Sequence, residues 1–158
     1  MTSTGLRCYD PSTLQLKESV ALSGYPYYSY LHNNELWITG NHTLSIFDTR
    51  THSFKPLPQP IAHNTTLCNA DIDYIHPYGN NGLLLNTARH GMFYYNPGTG
   101  SVTRQDENGF PFEMPRFRIS RMFTDSQQNL WIGSVDQGTP CATTTRSGST
   151  TTTTCAPS

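Results

Sequence analysis

The chain has 158 residues, a formal net charge of −1 at pH 7 and 13% charged residues. Phosphate binding needs a concentrated basic footprint, and no Lys/Arg run occurs, so nucleic acid is excluded as the main partner. No apolar run approaches the roughly 20 residues that cross a bilayer, and Met1-Thr2-Ser3-Thr4-Gly5 does not open a signal peptide.

In chain order the elements read as strands. Gly5 to Tyr9 and Leu14 to Leu22 form a first pair. Near Tyr27–His32, Glu35–Thr39, Thr43–Phe47 and Ser53–Leu57 come four more, stopped by Pro56, Pro58 and Pro60 because proline cannot donate to a ladder. Asp71–Ile75, Gly82–Thr87, Gly91–Tyr95 and Ser101–Gln105 follow. A loop with Asn108-Gly109, Pro111 and Pro115 leads to Phe117–Thr124 and Asn129–Ser134. There Ile119, Arg121 and Phe123 share one face, and Ser120, Met122 and Thr124 the other. No segment sustains a helical period.

Two motifs set the order. Leu36-Trp37-Ile38-Thr39, Leu83-Leu84-Leu85-Asn86 and Leu130-Trp131-Ile132-Gly133 recur at an interval of 47 residues, each after a polar turn. Tyr9-Asp10-Pro11-Ser12-Thr13, Phe47-Asp48-Thr49-Arg50-Thr51 and Tyr95-Asn96-Pro97-Gly98-Thr99 share the frame aromatic, Asp or Asn, two turn residues, Thr. Asp and Asn nucleate turns through their own backbone neighbours, so each copy predicts an outer hairpin. A fixed period of this length points to a propeller-type repeat, whose units cannot bury their faces alone. The expected fold is all-β: a partial β-propeller of about twelve strands. A half-blade over 1–22 is followed by blades over 23–60 and 61–107 and a half-blade over 108–138.

From Thr139 to Ser158 the chain is Thr-, Ser-, Pro- and Gly-rich. With little to bury, this tail is expected to be disordered. The broken repeat points to a frameshift or faulty gene end, with a glycosylated stalk as the alternative. Cys8, Cys68, Cys141 and Cys155 form no C-x-x-C pair and read as isolated thiols, with a structural disulfide as the rival. Asn41-His42-Thr43 and Asn64-Thr65-Thr66 match the glycosylation acceptor, which matters only in a eukaryotic secretory protein.

The segment from Ile119 to Gly138, with Asp125, Asn129-Leu130-Trp131-Ile132-Gly133-Ser134 and Gly138, resembles the two-component regulator propeller repeat. Gln128 stands where that turn usually has Gly, and Ser134 replaces Thr. Asn34–Thr39 and Gly91–Asn96 are similar but more divergent, and together the repeats cover about residues 5–138. The resemblance implies the periplasmic, seven-bladed sensor region of Bacteroidetes hybrid two-component histidine kinases. Such sensors respond to oligosaccharides from glycan breakdown, and a homodimer is implied for the parent. The chain then reads as a fragment whose parent begins upstream. Isolated, its open sheet edges should favour aggregation. Trp37 and Trp131 are expected to fill space between blades, and Asp125 to cap its hairpin.

Ligand-facing loops would gather at one face, at about 23–27, 40–43, 60–70, 88–90, 106–116 and 135–137. Tyr25, Tyr27 and Tyr28 offer rings for pyranose stacking. His42, Asn69, Arg89, His90, Arg116 and Arg118 can bond hydroxyls or a uronic carboxylate, to which forked Arg is suited. No catalytic constellation, metal set or cofactor is expected. The six histidines show no H-x-x-x-H spacing, Asp71 and Asp73 fall near His76 on what reads as a strand, and no G-x-S-x-G elbow or phosphate loop occurs. A lyase-type propeller enzyme and a cytoplasmic protein-interaction propeller are the alternatives.

Overall fold

The computed structural model describes residues 5–79, 81–114, 119–134, 141–146 and 149–155. Two compact units divide at Asp73 and Tyr74.

The first unit opens with β1 (Gly5–Tyr9) and β2 (Leu16–Ala21), an antiparallel pair. A four-stranded meander follows: β3 (Pro26–His32), β4 (Glu35–Gly40), β5 (Thr43–Asp48) and β6 (Ser53–Lys55). Asn33 and Asn34, both at positive φ, close the β3–β4 turn, as a two-residue hairpin demands. Two four-residue helices come next, α1 (Gln59–Ala62) and α2 (Thr65–Cys68). Pro near the start of α1 and the Asn64 side chain accepting from Leu67 N–H begin them, and each buries one aliphatic residue, Ile61 and Leu67. The long loop expected over 60–70 therefore has short helical turns.

A second meander, in the order β10-β9-β8-β7, consists of β7 (Ile72–Tyr78), β8 (Gly82–Thr87), β9 (Gly91–Asn96) and β10 (Ser101–Arg104). All of β8 is buried. In the second unit, β11 (Ile119–Thr124) and β12 (Leu130–Ser134) begin another sheet. One face of it, with Met122, Leu130 and Ile132, packs on Leu84 and Met92 of β8 and β9 and on Phe112. Tyr74 Oη donates to the Met122 carbonyl at 3.1 Å, and His76 Nε2 meets Thr124 Oγ1 at 2.8 Å.

The repeated aromatic-Asp/Asn motif forms the same turn three times. The Asp10 carboxylate accepts from Ser12 and Thr13 N–H, Asp48 from Arg50 and Thr51 N–H, and Asn96 Oδ1 from Gly98 N–H, at 2.8 to 3.2 Å. These local bonds hold whatever the surroundings.

β13 (Cys141–Arg146) and β14 (Ser149–Cys155) pair on β12, so the last sheet runs β11-β12-β13-β14 and the described residues hold fourteen strands. Threonine is β-branched and favours extended backbone. The proposed half-blade over 108–138 thus continues into a four-stranded sheet. One expectation needs correction: Trp37 is 2% exposed but Trp131 is 45% exposed. Leu130 and Ile132 take the packed face of β12, and alternation turns Trp131 to the opposite, open face. Cys8 and Cys68 are free thiols.

Candidate functional site

In the first unit the β4–β5 turn and the chain after α2 are tied together. A Cβ on Gly40 would lie 2.6 Å from Thr43 Oγ1 and 2.7 Å from the Tyr25 carbonyl, so glycine here lets the Tyr25 segment approach the turn. His42 sits at φ +50°, a conformation His tolerates better than most side chains. Its backbone N–H donates to Asp71 Oδ1 at 3.0 Å, and its ring Nδ1 contacts the Asn69 carbonyl at 2.9 Å. A carbonyl only accepts, so Nδ1 donates, and in the neutral ring Nε2 holds a lone pair. Asp71 Oδ1 lies 3.4 Å from the same Nδ1, and the ring is largely exposed. The imidazole is thus oriented from behind while Nε2 is left to accept from a hydroxyl donor. Exposed Tyr25, with Gly24, Gly40, Thr43 and Lys55, lines a groove of about 300 Å³.

The predicted residues in this unit separate by role. Asn69 contributes its carbonyl, because its side-chain amide donates to the Thr65 carbonyl at 2.7 Å and closes α2. Tyr27 is exposed, whereas Tyr28, next along β3, is half-buried on the opposite face. Tyr25, Tyr27 and Tyr28 therefore do not form one platform. Asp71 was missed as a site residue because its strand-like context suggested isolation. It lies just before β7, and its partner is 29 residues away.

Arg89 and His90 lie on the β8–β9 turn of the second unit. Thr87 Oγ1 donates to the Gly91 carbonyl at 2.7 Å and accepts from His90 N–H at 3.0 Å. Both residues line a second groove of about 300 Å³ with Arg104, Gln105 and Asp106. Arg104 is matched by Asp106 through two bonds of 2.5 and 2.6 Å, and Gln105 Oε1 accepts from Met92 N–H. The cationic character of this groove therefore rests on Arg89, with His90 adding charge when protonated. Arg116 and Arg118 lie outside the described residues.

Asp125 caps its hairpin, as its place in the motif predicts. Its carboxylate accepts from Gln127 and Asn129 N–H, from the Asn129 amide and from Trp131 Nε1, at 2.8 to 2.9 Å. The Trp131 and Asn129 bonds lead in lowering its pKa to about 2. Among the described residues no three His, Cys, Asp or Glu side chains gather as a metal site, and no helix is long and apolar enough to cross a membrane.

No protein-family model matches the sequence, and no curated protein matches it either. Solved structures do. The extracellular domain of a one-component system from B. thetaiotaomicron is similar over 98% of this chain and 20% of its own, with a TM-score of 0.66 and 16% identity. The extracellular domain of a hybrid two-component system from the same organism is similar over 93% of this chain and 18% of its own, with a TM-score of 0.58 and 14% identity. This chain spans about a fifth of their length. It is an all-β chain with a partial propeller fold, and that fold is shared with these extracellular domains.

Proposed function

We propose that the chain is a segment of the ligand-sensing propeller of a hybrid two-component sensor histidine kinase, acting on the periplasmic side and responding to glycan-derived oligosaccharides. It acts by binding rather than catalysis. The observation that carries the reading is the oriented His42 ring: Nδ1 is committed to the Asn69 carbonyl and, in the neutral ring, Nε2 is left to a ligand hydroxyl. Fold likeness to extracellular sensor-system domains supports the placement. Arg89 and His90 would receive a uronic carboxylate, with Tyr27, Arg116 and Arg118 as further contacts. In the parent, a saccharide that binds one dimer arrangement better than another shifts the population, and the kinase across the membrane responds.

Saturation-transfer NMR on the chain with neutral and uronic oligosaccharides tests this. Binding should perturb the Tyr25 and His42 ring protons. Loss of one hydrogen bond of about 1 kcal/mol should make His42→Ala roughly fivefold weaker. Absence of saccharide binding, or binding indifferent to both His42→Ala and Tyr25→Ala, would remove the proposal.

A further inference from the structure

The groove on the second unit holds a donor that neither the turn nor the sheet uses. Gln105 follows the last residue of β10, where its pairing with β9 ends. Its backbone N–H donates to the Met92 carbonyl at 2.9 Å, as the next rung of the ladder would. The return bond comes from the side chain: Gln105 Oε1 accepts from Met92 N–H at 2.9 Å. A backbone N–H only donates, so the atom facing it is the amide oxygen, and Nε2 is the other arm of the fork.

Gly91 makes room for that arm. A Cβ on Gly91 would lie 2.8 Å from Gln105 Cδ and 2.9 Å from its Nε2, and Gly91 also sits at φ +77°. Glycine here lets the amide lie against the β8–β9 turn, beside Arg89 and His90 in the same groove. Among the described residues no acceptor takes the two Nε2 hydrogens.

The charges of the groove leave one cation over. Arg104 Nε and Nη2 each donate to an oxygen of Asp106, and the Arg104 backbone N–H donates to the Glu107 carboxylate at 2.9 Å. Both carboxylates are thus occupied. Arg89 has no carboxylate partner among the described residues. The groove therefore offers a guanidinium and an oriented amide, both donors only at the atoms left over.

We infer that Gln105 is a specificity-determining residue. Its Nε2 hydrogens, together with the Arg89 guanidinium, select a uronic carboxylate over the corresponding neutral ester. The inference rests on the saccharide-binding reading above and names the group that discriminates within it. A carboxylate brings two accepting oxygens and a full charge to these donors, and hydrogen bonds to a charged acceptor are the stronger ones. An ester keeps one carbonyl oxygen and no charge.

Gln105→Glu tests this. A carboxylate oxygen at 105 still accepts from Met92 N–H, so the end of the sheet is kept, but the donor becomes a negative acceptor. Trigalacturonic acid and its methyl ester are titrated into the whole chain at one pH and followed by NMR at the Arg89, His90 and Gly91 amides. The native chain should bind the acid roughly tenfold more tightly than the ester, the effect of one charge-assisted hydrogen bond. In Gln105→Glu that ratio should fall to about one or invert, while amide exchange at Met92 stays as in the native chain. A purely structural role for Gln105 would leave the ratio intact. Arg89→Gln, which alters no rung of the sheet, should collapse the ratio as well. Equal affinity for acid and ester in the native chain, or a ratio that survives either substitution, would overturn the assignment and leave saccharide binding itself standing. Failure of both compounds to bind would remove the sensing reading and this inference with it.

Discussion

Acid should unfold this chain through His76. The residue lies on β7, is 7% exposed, stacks on Tyr74 with centroids 6.2 Å apart, and bonds the Thr124 hydroxyl across to β11. Burial lowers its pKa from 6.5 to about 4. The unfolded chain therefore takes up a proton near pH 6.5, whereas the folded chain resists it until about pH 4. Below pH 6.5 the unfolded state binds more protons, so stability falls as pH falls and the loss is complete near pH 4. Two and a half units at about 1.36 kcal/mol each set a ceiling near 3.4 kcal/mol, and partial water access brings the expected loss to about 2 kcal/mol. Against a typical total of about 5–15 kcal/mol, that is a visible fraction. Urea unfolding followed by tryptophan fluorescence from pH 7.5 to 4 measures it. Other carboxylates contribute their own slope, so the diagnostic quantity is the difference from His76→Gln, which cannot titrate. Its stability should change less between pH 6.5 and 4 by about 2 kcal/mol. NMR titration of the His76 ring should give a midpoint near 4. A midpoint near 6.5 in the folded chain, or equal pH slopes for the two proteins, would refute the reasoning.

Two further outcomes concern the Asp125 hairpin. A carboxyl held at about 2 keeps its contribution above the ordinary value of 3.8 and loses it as pH falls through 2. Asp125→Asn should therefore accelerate amide exchange at Gln127 and Asn129 at neutral pH, and unchanged exchange would show that the carboxylate does not hold the turn. Gln128 sits at φ +65°, where a side chain is strained. Gln128→Gly should stabilise the chain by about 1 kcal/mol by relieving left-handed strain, measured by urea unfolding, and destabilisation would contradict the strain argument.

Residues whose partners lie within a few positions were readable from the chain. Asp10, Asp48, Asn96 and Asp125 each bond amides two to four residues on, so the motif and the geometry coincide. The left-handed backbone at Gln128 was foreshadowed by a Gln in a turn that ordinarily takes Gly. The site was less legible. His42 and Asn69 were named singly, but nothing local indicates that Asp71 holds the His42 backbone or that Asn69 serves through its carbonyl. Tyr25, Tyr27 and Tyr28 were each named for ring stacking, and strand alternation turns Tyr28 away from Tyr27.

The sequence alone determined the strand order, the hairpin turns and the repeat, because turn chemistry and side-chain alternation act over a few residues. Only the tertiary structure decided which copy of each repeated side chain is covered. Trp37 and Trp131 share a motif yet differ in burial, since burial depends on what lies against a face and not on the strand that bears it. The same holds for His76, whose imidazole is kept neutral by strands packed around it from distant parts of the chain.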